Sequence, residues 1–359
     1  MKYDSWLAAV RGISSKKKLK LKELCGGSEN IYNIEESQLK TMTFLTEKEQ
    51  FLFMQARKEM SAEKVAEDLE QAGIKCVCYD DADYPEKLRL IAQAPYALYV
   101  KGKLPEPDKK QIAIVGARRC THYGEQMAME YGKALADCGV EIISGMARGI
   151  DGAGQRGALD RGGSTYGILG CGVDICYPKE HRGLYMDMQK KGGIISEYPL
   201  GTPPLSSNFP ARNRIISGLS DFVLIIEAKE KSGSLITADL ALEQGKDIYA
   251  LPGPVTSSLS QGCHRLIREG AGILITPEEL VKELNLSMEK RIRNSDEKKK
   301  VLEKGENLVY SCLDLYPKGV QAIIEATGMK PEQVLRELVS LELEGKVKEI
   351  SKNHYVRGS

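Results

Sequence analysis

Residues suited to gripping an anion recur in four short stretches of this chain: Gly116, Arg118 and Thr121; Gly172 and Lys179; Phe209, Arg212, Asn213 and Arg214; and Ser232, Gly233 and Ser234. Gly116 lets the backbone turn without a Cβ clash, and Arg118 carries a planar fork that suits phosphate oxygens. A helical stretch, Gly124–Cys138, follows this first loop, so its free N–H groups and positive dipole end face the same anion. Tyr177-Pro178-Lys179 presents an ammonium from a pinned turn, and Pro210 suits a first helical turn that aims Arg212 and Asn213 backward. Lys231-Ser232-Gly233-Ser234 supplies hydroxyls and backbone donors at another helix start. Each loop alone is also explained by capping and solvation. Four of them together favour phosphate.

The kind of phosphate compound is narrowed by what is missing. Arg118 stands where the second glycine of Gly-x-Gly-x-x-Gly would let a dinucleotide pyrophosphate approach, and no Gly-Lys-Ser/Thr loop occurs. A nicotinamide cofactor or an ATPase site is therefore not expected. Nine cysteines and four histidines are dispersed without a Cys-x-x-Cys pair, and Cys76-Val-Cys78 and Cys171-x₄-Cys176 are poor ligand spacings. Neither a metal, a cofactor nor a catalytic constellation is expected. Phe209 beside cations is the combination that binds single-stranded nucleic acid, since cations follow the backbone while a ring stacks on a base, worth ~1–3 kcal/mol per base. The competing role for Phe209 is a staple packing its helix onto the core.

These loops need a scaffold that brings them together. Seven β-branched runs alternate with helical stretches: Gln111–Ala117, Val140–Gly145, Ser164–Gly170, Gly192–Tyr198, Asp221–Ala228, Asp247–Gly253 and Gly272–Thr276. That alternation predicts an α/β, doubly wound, mostly parallel Rossmann-like sheet. Every post-strand loop then lies at the carboxyl edge, where ligands bind. Residues 1–75 read as a small helical domain, with Trp6, Leu7, Val10, Leu19, Leu21 and Leu24 as its apolar face and a long amphipathic stretch from Glu47 to Ala72. Residues 76–287 hold the sheet with a lead-in segment, and 288–304 are a charged linker. Residues 305–359 read helix, helix, helix, hairpin, the order of a winged helix.

Lys plus Arg total 51 against 50 Asp plus Glu, a net charge of +1, so a polyanion binder must concentrate its positive charge locally. An odd number of thiols, no apolar leader and no run of about 18 apolar residues predict a soluble cytoplasmic protein without membrane contact. In the winged-helix segment, the stretch Lys330–Glu344 sets Glu332, Glu337, Glu342 and Glu344 against Lys330 and Arg336. Phosphate repels such a helix, which disfavours groove insertion and favours a protein-contacting or autoregulatory role. Val334, Leu335, Leu338, Val339 and Leu341 are its expected core face.

Four long motifs carry a family resemblance. They are Gly116-x-Arg118-x-x-Thr121-x-Tyr123-Gly124, Ser144-Gly145-Met146-Ala147-Arg148-Gly149-Ile150-Asp151, Phe209-Pro210-x-Arg212-Asn213-Arg214 with Gly218-Leu219-Ser220, and Ser232-Gly233-Ser234-Leu235-Ile236-Thr237-Ala238. Gly262-x-x-x-Leu266-Ile267-x-x-Gly270-Ala271 continues the match. The chain resembles the DNA-processing protein A (DprA/Smf) family. The resemblance implies a non-enzymatic binder of single-stranded DNA that protects incoming strands and loads RecA recombinase during natural transformation. It implies backbone contacts for Arg118 and Lys179, a base contact for Phe209, and a homodimer formed through the sheet domain near Gly262–Thr276. It further implies that the first block is similar to sterile-alpha-motif or helix-hairpin-helix modules. Ala117 stands where the family usually has Ser, Gly154 where it often has His, and Ser206 where relatives commonly carry Lys. Arg11-Gly12-Ile13-Ser14 is a degraded hairpin, so DNA binding by the first block is not expected, and single-strand affinity is expected to be weaker than in typical members. The alternative class is a nucleotide-binding enzyme of the phosphoribohydrolase type, which Ser232-Gly233-Ser234-x-x-Thr237 with nearby Asp239 faintly resembles.

Overall fold

The computed structural model describes residues 2–287, 302 and 304–358. These form two compact units, one holding the N-terminal helices with the large sheet, the other the C-terminal helices with a small sheet. The strands of the large sheet are β1 (Lys75–Cys78), β2 (Ala97–Gly102), β3 (Gln111–Val115), β4 (Glu141–Ser144), β5 (Thr165–Ile168), β6 (Gly193–Ser196), β7 (Phe222–Ile225), β8 (Asp247–Ala250) and β9 (Gly272–Ile273). Their spatial order is β1-β2-β6-β5-β4-β3-β7-β8-β9. All neighbours from β6 to β9 pair in parallel, while β2 runs antiparallel to β6 and β1 antiparallel to β2.

All seven apolar runs became β3 to β9. The chain winds outward from β3 in both directions, to β4 on one side and β7 on the other, which makes the β3 carboxyl end the topological switch point. Both faces of the sheet are covered, so β3 is buried along its whole length. Alternation along a strand divides the core: Ile194 joins one cluster with Met188 and the N-terminal helices, and Ile195 joins the other with Ile215, Ile216, Leu235 and Ala238.

Helices Lys2–Ala9 through Ala62–Gln71 form the first block, and they share a core with the sheet rather than standing apart: Trp6, Leu7 and Phe53 cluster with Tyr99, Leu169 and Ile194. Trp6, Leu7, Val10 and Leu21 are buried as expected and Leu19 is partly so, but Leu24 is 60% exposed. The amphipathic stretch expected from Glu47 to Ala72 is two helices, Glu47–Glu59 and Ala62–Gln71. Ser61 breaks it by accepting a hydrogen bond from the Lys64 N–H as an N-cap. The lead-in segment is also more ordered than its sequence announced, since it supplies β1 and β2 to the edge of the sheet.

In the second unit, helices Lys304–Cys312, Val320–Thr327 and Pro331–Leu343 precede strands Val347–Ser351 and His354–Arg357, with Lys318–Gly319 as a third strand. This is a winged helix. The linker at 288–304 lies almost wholly outside the described residues, and Lys304 already opens a helix. Val334, Leu338 and Leu341 enter the core, but Leu335 and Val339 do not; they are 43% and 53% exposed. The five apolar residues span more of the helix than one buried stripe can cover.

Candidate nucleic-acid interface

At the carboxyl ends of β3 and β7, a cavity of about 570 Å³ opens. Gly116, Arg118, Phe209, Arg212, Asn213, Ser232, Gly233 and Ser234 all line it. Gly116 is required by close approach: a Cβ there would lie 2.7 Å from Ile150 Cγ1 and 2.9 Å from the Glu227 carbonyl oxygen. Arg118 is exposed, and its guanidinium carbon lies 5.3 Å from the centroid of Phe209, a cation–π contact. The Phe209 ring is half-buried and stacks on Tyr177 at 5.5 Å between centroids, with the planes 30° apart. It is neither a free platform nor a fully buried staple.

The opposite wall is the start of helix Gly233–Glu243, whose dipole and first-turn N–H groups face the cavity. Ser232 caps it, accepting from the Ser234 N–H, and the two hydroxyls lie 2.8 Å apart. Asn213 Nδ2 donates to the Gly233 carbonyl at 3.2 Å and so fixes this loop against helix Asn208–Leu219.

Arg212 does a different job from the one its sequence context suggested. It is 4% exposed, donates to the Ile168 carbonyl at 2.8 Å, and packs against Gly145 so tightly that a Cβ there would lie 1.9 Å from its Nη1. Burial pushes the guanidinium down to about 10, and the Asp151 carboxylate opposes that. Asp151, 6% exposed, has its carboxyl raised by burial against the Arg212 charge and the Gly145 N–H, which donates at 3.0 Å. These are two buried opposite charges beneath the cavity floor, which attract each other without a direct hydrogen bond, and little of Arg212 is left to meet a phosphate.

Arg214 also departs from expectation. It turns away from the cavity and grips Glu197 with two bonds of 2.6 Å, while Nε donates to the Gln93 carbonyl. Thr121 and Gly172 lie outside the lining as well. Thr121 accepts from the Gly124 N–H at 3.0 Å as a helix cap, and the Gly172 N–H is spent on the Thr202 carbonyl at 2.9 Å. Lys179 is exposed at the start of the single turn Lys179–His181, two residues beyond the stacked Tyr177, and does not line the cavity.

Sequence reasoning gave no binding role to three cations at this edge. Arg119, Lys229 and Lys231 line the cavity and are exposed, so with Arg118 they outnumber the single carboxylate among its described lining residues, Asp151, which is buried and accepts the Gly145 N–H. Lys229 and Lys231 directly follow the apolar run of β7, and that position at the carboxyl edge was the available clue. Arg148, which borders the adjoining recess beside Tyr177, pairs with Glu180 on the surface.

Comparison with known proteins gives the family. A family model described as DNA recombination-mediator protein A matches residues 75–285, and a DprA winged-helix model matches 294–351. The chain belongs to the DprA/Smf family. Protein Smf of Escherichia coli is 39% identical over 285 residues, covering 77% of this chain and 76% of that protein. DNA processing protein DprA of Streptococcus pneumoniae is 40% identical over 203 residues, covering 56% of this chain and 72% of that protein. The X-ray structure of the Streptococcus pneumoniae protein superposes with a TM-score of 0.69 at 31% identity, over 80% of this chain and 99% of that one. A Helicobacter pylori DprA structure, described in terms of its single-stranded DNA binding mode, gives a TM-score of 0.54 at 30% identity, over 59% of this chain and 95% of that one. No helix among the described residues is long and apolar enough to cross a membrane.

Proposed function

We propose that this family member binds single-stranded DNA in the switch-point cavity, protects incoming strands, and loads RecA recombinase onto them during natural transformation, without catalysing a reaction. The observation that carries the reading is the pairing of four exposed cations with an aromatic stack on one cavity rim. Cations at this spacing track a backbone, while rings accept any base. The family membership and the Helicobacter pylori relative support the same ligand. A homodimer is supported by the free edge of the sheet: β9 is terminal, and Ile273 and Ile275 beside it are 49% and 63% exposed.

The enzymatic alternative requires a carboxylate free to assist glycosidic cleavage. Asp151 is the lining carboxylate among the described residues, and it is buried, accepts the Gly145 N–H and faces the Arg212 charge. Gel-shift titration with single- and double-stranded oligonucleotides at two salt concentrations tests the binding reading. Retardation of the single strand that weakens with salt is expected. Release of free base from nucleoside monophosphates, with no retardation of an oligothymidylate, would replace the binder with the enzyme. RecA loading is read separately, as faster strand exchange when the protein is added to RecA and coated single strands.

A further inference from the structure

A second cavity, of about 410 Å³, opens between the N-terminal helices and the antiparallel edge of the large sheet. Helices Glu47–Glu59 and Ala62–Gln71, with Met60 between them, supply Leu52, Ala56, Met60, Val65 and Leu69, and the segment after β6 supplies Leu200. The break capped by Ser61 makes the opening, since Met60 and Val65 on either side of it both line the wall. Apolar walls joined by a few polar groups, at this volume, are the features of a small-molecule site.

Its floor holds a donor with nothing to donate to. Tyr99, on β2, is 1% exposed and lines the cavity, yet its hydroxyl has no hydrogen-bond partner among the described residues. Other buried phenols are bonded: Tyr185 donates to the Val173 carbonyl at 2.6 Å, and Tyr84 to the Pro95 carbonyl at 2.7 Å. Burial, aided by Cys76 and Cys78, pushes the Tyr99 phenol well above its ordinary value, and the Arg11 charge opposes this. The hydroxyl therefore keeps its proton at neutral pH, and a buried donor costs stability until an acceptor reaches it.

Arg11 stands exposed at the rim of the same cavity. Its Nη2 donates to the Leu200 carbonyl at 3.2 Å, which holds the side chain against the wall. A guanidinium has five N–H donors, so most remain for a ligand. The rim carboxylates are engaged on the surface: Glu59 accepts from Gln55 Nε2 at 2.7 Å, and Asp68 pairs with Lys64 at 2.8 Å. They still repel a doubly charged head group, so one cation and one phenol suit a single negative charge.

We propose that this cavity binds a small carboxylate with an apolar body, whose oxygens accept from the Tyr99 hydroxyl and meet the Arg11 guanidinium. The site shares no lining residue with the strand-binding cavity, so it stands or falls apart from that reading.

Trp6, the chain's one tryptophan, reports on the site, because its Nε1 donates to the carbonyl of Met60 at 3.0 Å. The test titrates the full-length protein with octanoate, octanol and octylamine and follows Trp6 emission. Octanoate should give a saturable change at the lowest concentration, octanol a weaker one and octylamine the weakest. Tyr99→Phe should weaken octanoate about 10- to 150-fold, the range for a hydrogen bond to a charged group, without lowering the melting temperature. Arg11→Gln, a change at an exposed position, should bring octanoate down to the affinity of octanol and leave octanol as in the parent. Octanoate bound no more tightly than octanol by the parent, or as tightly by Tyr99→Phe as by the parent, would overturn the site. A lower melting temperature for Tyr99→Phe would place the hydroxyl in a bond within the protein, and that result too would remove the site.

Discussion

Replacing Arg212 with methionine separates a structural arginine from a ligand-binding one. Methionine fills similar volume but leaves Asp151 buried without its counter-charge. Arg212 and Asp151 are buried charges not in direct contact, so the cost of stranding one is at most the about 3–5 kcal/mol of breaking a buried pair from one side, against about 0–1 kcal/mol for an exposed pair. Single domains are stable by only about 5–15 kcal/mol, so the loss is a large fraction of the total. It should also depend on pH. The folded Asp151 carboxyl already lies above its ordinary value of 3.8 because burial raises it. A raised folded value means that its contribution is fully present below the unfolded value and is lost as pH rises through the folded one. Without Arg212 the folded value rises further, so Arg212→Met should approach the parent's stability at pH 5 and fall well below it at pH 8. Urea unfolding followed by far-ultraviolet circular dichroism measures both. Adding Asp151→Asn should recover most of the loss, since the amide carries no charge to strand. A stability within about 1 kcal/mol of the parent at pH 8, together with a single-strand salt slope lowered by about 0.7, would make Arg212 a phosphate ligand and refute the argument.

Arg118→Ala should lower the salt slope for single-stranded DNA by about 0.7, the value for one phosphate on a single strand, and anisotropy titrations at several salt concentrations read this directly. Lys229→Ala and Lys231→Ala should each do the same, although neither was conspicuous in the sequence. Arg214→Ala should cost about 2 kcal/mol by breaking its two-bond grip on Glu197 while leaving the salt slope untouched, checked by urea unfolding beside the same titrations. Truncation before Lys304 should leave affinity for a duplex hairpin unchanged, because the outward face of helix Pro331–Leu343 carries Glu332, Leu335, Val339 and Glu342. A tenfold drop in a gel-shift titration would place that helix on DNA.

The sheet was legible because its strands are covered on both faces. Ile112 to Val115 and Phe222 to Ile225 are near-continuous apolar runs that no amphipathic helix produces. β1 and β2 were harder to read: Lys75–Cys78 alternates at an edge, and its identity as a strand depends on pairing Cys76 with Tyr99, a contact between residues far apart in sequence. The cavity's position followed from topology alone. The roles of its arginines did not, because Arg212 and Arg214 are two residues apart on one helix and face different carboxylates. Which carboxylate an arginine meets is settled by packing between loops, and local sequence carries no trace of it. The stack of Tyr177 on Phe209 stayed hidden for the same reason, since it joins two separate post-strand segments.

The buried charges explain how four loops come to act as one site. Arg212, from helix Asn208–Leu219, reaches the end of β5 through the Ile168 carbonyl and the end of β4 through Gly145. Asp151 receives the Gly145 N–H, and the nearby Gly116 N–H favours its charged form, which adds the end of β3. Arg214 fastens the same helix to the end of β6 through Glu197. Two pairs of opposite charges, Arg214 with Glu197 in direct contact and Arg212 with Asp151 without it, thus sit where the carboxyl ends of four neighbouring strands are held in fixed relation. Because each pair is close to neutral, neither adds to the field felt by an incoming strand. That field comes from Arg118, Arg119, Lys229 and Lys231, which remain exposed at the rim. The Arg-Asn-Arg stretch therefore shapes the cavity, and the less conspicuous cations after β3 and β7 charge it. A protein with a net charge of only +1 attracts a polyanion by this division: internal arginines are cancelled where they build, and peripheral ones are left free where they bind.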